Sequence, residues 1–150
     1  YNTQSATYRQ PQKQDQGMVT EVDVLIVDDE PPIAEFIADV LEEEGYRVRV
    51  LHDGAAALLE ILRRRPGLVI LDVAMPVMMG DELLRYLRRH GYGDLPIVIM
   101  TAGMNPQSYM AYGAVAVLPK PFDVQSLIAV VERHMDSARA NQAGGENRLE

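Results

Sequence analysis

The chain of 150 residues contains no cysteine, which excludes disulfides and thiolate metal sites and fits a reducing compartment. Positive charge is also scarce. Fourteen Lys and Arg against 22 Asp and Glu leave a net charge of −8, so the basic stripe that a nucleic acid would need is missing. No apolar run approaches the ~18 residues of a membrane span. The first residues lack the basic start and apolar stretch of a signal peptide. No glycine-rich turn follows the first apolar run, so nucleotide phosphates have no cradle there. These absences lead us to expect a soluble, cytoplasmic protein that contacts neither nucleic acid nor membrane directly.

What the chain does have is a core. Hydrophobic residues make up 47% and charged residues 24%, ordinary values for one globular domain of this length. Residues 1–20 hold five glutamines (Gln4, Gln10, Gln12, Gln14, Gln16) and no apolar period. Such a segment cannot offset its ordering entropy by burial. The expected organisation is a disordered tail over 1–20, a folded domain over 21–137 and a second disordered tail over 138–150.

Inside the domain, apolar runs alternate with helical periods. Val22 to Val27 reads as a strand, and Pro31-Pro32 opens a helix, where proline is tolerated in the first turn. Ile33, Phe36, Ile37, Val40 and Leu41 follow an amphipathic stripe, which Gly45 ends. Tyr46 to Val50 alternates strictly, as an edge strand does. Asp53 is a candidate N-cap for a helix through Leu58, Leu59 and Leu62, closing on Arg63-Arg64-Arg65. Cations suit a helix C-terminus, so this run reads as a solvated helix end. Leu68 to Leu71 is apolar on both faces, a central strand of a parallel sheet. A third helix, with Leu83, Leu84 and Leu87, starts at Gly80-Asp81-Glu82 and ends on Arg88-Arg89-His90 before Gly91.

Pro96 to Thr101 is the fourth strand. Asn105-Pro106 begins a short helix, Ala114 to Leu118 is the fifth strand, and Asp123 caps a last helix with Val124, Leu127, Ile128 and Val131 on its core face. Five uninterrupted βα units predict an α/β fold, a doubly wound parallel sheet with helices on both faces. His52, His90 and His134 follow no metal-like spacing and read as ordinary surface residues.

Parallel strands deliver their carboxyl ends to one rim, where open sheets bind ligands. Here those ends carry Asp28-Asp29-Glu30, Asp72, Thr101 and Lys120. Asp72 alone could be a turn cap. Several carboxylates together repel unless a cation joins them, and Mg²⁺ accepts such oxygen ligands. An ammonium, a hydroxyl and a carboxylate nucleophile complete the parts required by phosphoryl transfer through an aspartyl phosphate.

Ile26-Val27-Asp28-Asp29-Glu30-Pro31, Ile70-Leu71-Asp72-Val73-Ala74-Met75-Pro76 with Gly80, Val98-Ile99-Met100-Thr101-Ala102 and Leu118-Pro119-Lys120-Pro121-Phe122 resemble the receiver domain of two-component response regulators, of the chemotaxis-regulator type. The resemblance covers about residues 22–137. It implies the flavodoxin-like strand order 2-1-3-4-5 and a cis Lys120–Pro121 bond. It also implies that Asp72 is the phosphoacceptor for a sensor histidine kinase or phosphotransfer protein. Asp28, Asp29, Asp72 and the backbone carbonyl of Ala74 would hold Mg²⁺. Thr101 would turn toward the attached phosphoryl group, and Lys120 would pair with it. Such a domain is not an enzyme beyond catalysing its own phosphorylation and slow dephosphorylation. It signals to a downstream protein through the surface of helix 4, strand 5 and helix 5, which is also the candidate homodimer face.

Three departures from the family pattern stand out. Val117 occupies the place, three before the lysine, where the family usually carries an aromatic ring that moves with the threonine. The stretch from Thr101 to Gly113 is short by roughly one helical turn, and Met104, Tyr109, Met110 and Tyr112 crowd there, some expected against the sheet and some on a binding surface. Ala74 and Gly103 hold positions that tune phosphoryl lifetime in the family, and neither can place or block a water. These departures point to activation by a backbone change over residues 102–112. They also keep open a pseudo-receiver scaffold that works by protein contacts without phosphorylation. A phosphohydrolase would want a second acid where Ala74 stands.

Overall fold

The computed structural model describes residues 6–8, 21–75, 77–103 and 105–135. The strands are β1 (Ala6–Tyr8), β2 (Val24–Val27), β3 (Val48–Leu51), β4 (Leu68–Asp72), β5 (Ile97–Thr101) and β6 (Ala116–Pro119). The helices are α1 (Pro31–Glu43), α2 (Gly54–Arg63), α3 (Gly80–Arg89) and α4 (Gln107–Ala111), followed by α5 over 124–135. The sheet order is β1-β3-β2-β4-β5-β6, with β3, β2, β4, β5 and β6 all parallel. These five reproduce the expected 2-1-3-4-5 order.

The sheet has six strands rather than five. Ala6–Tyr8 pairs antiparallel with β3, opposing Leu51, Val50 and Arg49 in turn. This corrects the reading of residues 1–20 as wholly unstructured at those three positions; the rest of that segment, and residues 136–150, lie outside the described residues. The physical reason is that an edge strand offers a row of unpaired main-chain groups, which a short segment of any composition can satisfy.

Two apolar clusters sandwich the sheet. Ala34, Ile37, Ala38 and Leu41 of α1 and Leu127, Val131 and Met135 of α5 cover one face. Ala57 and Ile61 of α2 and Leu83, Leu84 and Leu87 of α3 cover the other. The expected stripes were right for α3 and shifted for α1 and α2. Phe36 is 43% exposed, Leu59 62% and Leu62 50%, because alanines on the sheet-facing side let these helices approach closely and turn the bulkier residues outward. Val124 is likewise exposed at the start of α5.

Caps follow the sequence more faithfully. Asp53 accepts from the Ala56 amide at 2.7 Å and Asp123 from the Ser126 amide at 2.7 Å. Asn105 does not cap α4 through its side chain; Pro106 holds the N-cap position, without a side-chain bond. The Lys120–Pro121 bond is cis.

Candidate functional site

The site forms where β2, β4, β5 and β6 end. Register pairs Val27 with Leu71 and Asp72 with Met100, so Asp28 and Asp72 leave adjacent central strands side by side. Continuous apolar runs bury both strands on two faces, and that depth carries the carboxylates in with them. Asp28 is fully buried and Asp72 nearly so. Asp29 is exposed beside them, and one carboxylate oxygen from each of the three lies within 4.8 Å of the other two. Three hard oxygen donors so placed fit a divalent cation such as Mg²⁺.

Lys120 supplies the counter-charge. Its Nζ lies 3.1 Å from Asp72 Oδ1 and 3.4 Å from Asp28 Oδ2. The backbone leading into it is held by the sheet: Thr101 pairs with Pro119, and the Lys120 amide donates to the Thr101 carbonyl at 2.8 Å. Asp28 Oδ1 also accepts from the Glu30 amide at 2.9 Å, and the Ala74 amide donates to the Asp72 carboxylate. Thr101 is buried at the end of β5, where its Oγ1 accepts from the Gly103 amide at 2.9 Å.

Burial sets the electrostatics. Desolvation pushes the Asp28 and Asp72 carboxyls above their ordinary range, partly countered by the Glu30 amide at Asp28 and by Lys120 at Asp72. Burial opposes the charge of Lys120 too, but its hydrogen bond to Asp72 and the nearby carboxylates outweigh this and raise its pKa. The cluster therefore holds more negative charge than one ammonium neutralises, and a divalent cation would relieve it.

The structure thus brings Asp28, Asp29, Asp72 and Lys120 together, with Thr101 on the same rim and Ala74 next to Asp72. Three further residues hold the site and its surroundings in place. His52 Nδ1 bonds the Asp28 carbonyl at 2.9 Å, so it is half-buried behind the site rather than an ordinary surface histidine. Gly80 lies so near the end of β4 that a Cβ there would stand 2.9 Å from Val73 Cα. Arg88 reaches from α3 to the turn before β6. The spacing of Gly80 from Asp72 was visible in the motif; the contacts of His52 and Arg88 required the fold.

The sequence matches the family description "Response regulator receiver domain" over residues 24–132. It is 37% identical over 122 residues to the nitrogen assimilation regulatory protein NtrX of Azorhizobium caulinodans, covering 78% of this chain and 27% of that protein. It is 40% identical over 111 residues to the response regulator MprA of Mycobacterium ulcerans, covering 72% of this chain and 47% of that protein. The chain therefore spans about a quarter to a half of these regulators' length. Among solved structures, the receiver domain of NtrX from Brucella abortus superposes with a TM-score of 0.72 at 34% identity, covering 76% of this chain and 98% of that one. The chemotaxis response regulator CheY4 of Vibrio cholerae gives 0.70 at 33% identity, covering 77% and 99%. A sheet of this order, with buried aspartates and a lysine at one rim, thus places the chain in the response regulator receiver-domain family, the phosphorylation-based signalling modules of two-component systems.

Proposed function

We propose that Asp72 is the phosphoacceptor, receiving a phosphoryl group from the phosphohistidine of a sensor kinase or phosphotransfer protein. The observation that carries this is the contact of Lys120 Nζ with Asp72 Oδ1 at 3.1 Å, inside a cluster of three carboxylates. An Asp72 oxygen forms the new P–O bond while the P–N bond breaks and its electron pair leaves with the donor imidazole. Asp28, Asp29, Asp72 and the Ala74 carbonyl would hold Mg²⁺, which supplies charge neutralisation of the transferring phosphoryl oxygens. Lys120 keeps Asp72 ionised against its burial and then pairs with the phosphoryl oxygens. Thr101 exchanges its bond to the Gly103 amide for one to the phosphoryl group. The domain catalyses its own phosphorylation and slow dephosphorylation and no other reaction.

The donor and the output use different surfaces. An apolar pocket of about 440 Å³ adjoins Lys120 and is lined by Pro32, Ile33, Phe36, Ala102, Pro121 and Phe122, which gives the exposed Phe36 a docking role for the donor protein. Output runs through residues 102–112, α4, β6 and α5. Val117 lies against the core and has no ring to swing, so the change is one of backbone, transmitted to the groove of about 750 Å³ between α4, β6 and α5. That face is also the one through which two copies would pair.

Incubation with a small acyl phosphate and Mg²⁺ tests the reading. The wild type should gain an acid-stable, base-labile phosphate that Asp72→Asn lacks. A wild type that stays unmodified defeats the proposal. Amide exchange over residues 102–112 should differ with and without a phosphoryl mimic; equal protection there rejects the backbone route.

A further inference from the structure

β3 is the edge of the parallel sheet, and among the described residues Ala6–Tyr8 extend the ladder beyond it. In parallel pairing β3 satisfies half of its main-chain groups on β2. Its outer row would otherwise face solvent, as a ready template for another strand. The antiparallel register pairs Ala6 with Leu51 and Tyr8 with Arg49. β1 therefore leaves at the end of β3 where Val48 lies opposite Val24 of β2.

The connection back to β2 has little distance to cover. From β1 to β2 is two strand spacings, about 10 Å. Residues 9–23 supply fifteen residues for that gap, a contour length of roughly 50 Å. The tether therefore places no geometric demand that β1 pair with the β3 of its own chain. The described part of the ladder also holds weakly, since each main-chain hydrogen bond replaces one to water and contributes little net.

We propose that the β3 edge is a strand-addition surface whose partner is a second copy of this chain, the copies exchanging their Ala6–Tyr8 strands reciprocally. The pairs formed in exchange are those formed within one chain, so exchange sacrifices no contact and only local concentration opposes it. A linker of this length gives an effective concentration on the order of millimolar. Exchange is thus suppressed in dilute solution and favoured wherever copies are crowded together. Nothing in this surface depends on phosphoryl chemistry, so it stands or falls separately from Asp72.

The absence of native cysteine makes the test clean. Opposed residues of an antiparallel pair lie about 4.5–5.5 Å apart, within disulfide reach. Adjacent pairs alternate between hydrogen-bonded and non-bonded geometry, so two pairs are used: Thr7→Cys with Val50→Cys, and Tyr8→Cys with Arg49→Cys. The second pair carries Glu60→Gln, because Arg49 Nε lies 3.5 Å from the buried Glu60 carboxylate. Each double variant, diluted and oxidised with glutathione disulfide, should close an intramolecular bridge. The corresponding single variants, mixed at high concentration, should form an interchain bridge. Its yield should rise with concentration and exceed by roughly tenfold that of Thr7→Cys mixed with Glu132→Cys on the exposed side of α5. Intramolecular bridges with mixed yields no better than the Glu132 control would overturn exchange. Failure of both double variants to close would overturn the edge pairing itself.

Discussion

The guanidinium of Arg88 holds the Gly113 carbonyl with two nitrogens, Nε at 3.1 Å and Nη2 at 2.7 Å, and it also donates to the Tyr92 carbonyl. One side chain of α3 thereby fixes the turn between the short α4 and β6. Arg85 adds to the same clamp, lying over the Tyr112 ring at 4.7 Å.

Arg88→Ala should destabilise the domain by about 2–3 kcal/mol, since it strips charge-assisted bonds from a partly buried carbonyl. Arg88→Lys should recover less than half of this, because an ammonium cannot present a fork. Urea denaturation of the three proteins measures it. Equal stability of wild type and Arg88→Ala would mean that the clamp carries no weight.

Asp72→Asn should raise the melting temperature of the metal-free protein at neutral pH. Burial lifts the folded-state pKa values of Asp28 and Asp72 above the ordinary 3.8, so the folded state binds these protons more tightly than the unfolded chain. Their stabilising effect is fullest below 3.8 and declines as pH rises through the folded values. The substitution removes one of these titrations, for a gain of roughly 2–5 °C. The gap between the two proteins should close as pH falls, which melting curves across the acid range would reveal.

Lys120→Met should act in the opposite sense. It leaves the carboxylates without their ammonium, a loss of roughly 2–4 kcal/mol near neutrality. The lysine's folded pKa lies above its ordinary 10.5. Its contribution is therefore complete below 10.5 and disappears as pH rises through the folded value. Wild-type stability should show that alkaline decline, while Lys120→Met should not. Parallel alkaline curves would contradict the pairing.

Gly80→Ala and Gly93→Ala make a matched pair. At Gly80 a Cβ meets backbone, 2.9 Å from Val73 Cα and 3.0 Å from the Asp72 carbonyl carbon; at Gly93 it meets nothing within 4 Å. The first should cost about 1–3 kcal/mol and disturb the strand end that presents Asp72. The second should be neutral or stabilising by up to about 1 kcal/mol. Denaturation midpoints decide it, and equal values would refute the close approach.

The order of elements, the parallel sheet and the rim residues were legible because each rests on local pattern. Apolar runs ending on Asp28, Asp72, Thr101 and Lys120 need only strand direction to place them on one edge. Helix faces were less legible where alanine does the packing. A reader of α2 follows its leucines, yet Ala57 and Ile61 are buried while Leu59 and Leu62 face outward, because close approach to the sheet rewards small residues. His52 and Arg88 looked like a surface histidine and a helix-end cation; their partners, Asp28 and Gly113, lie 24 and 25 residues away.

By itself the sequence determined a receiver-type α/β domain and the residues that meet at its carboxyl edge, since strand and helix periods and turn chemistry are encoded residue by residue. Tertiary structure alone decided that Lys120 stands between Asp72 and Asp28, that Arg88 ties α3 to the turn before β6, and that Ala6–Tyr8 extends the sheet. Those relations join residues far apart in the chain, and a ladder on an open edge depends on main-chain groups that every residue carries, so no side-chain pattern announces them.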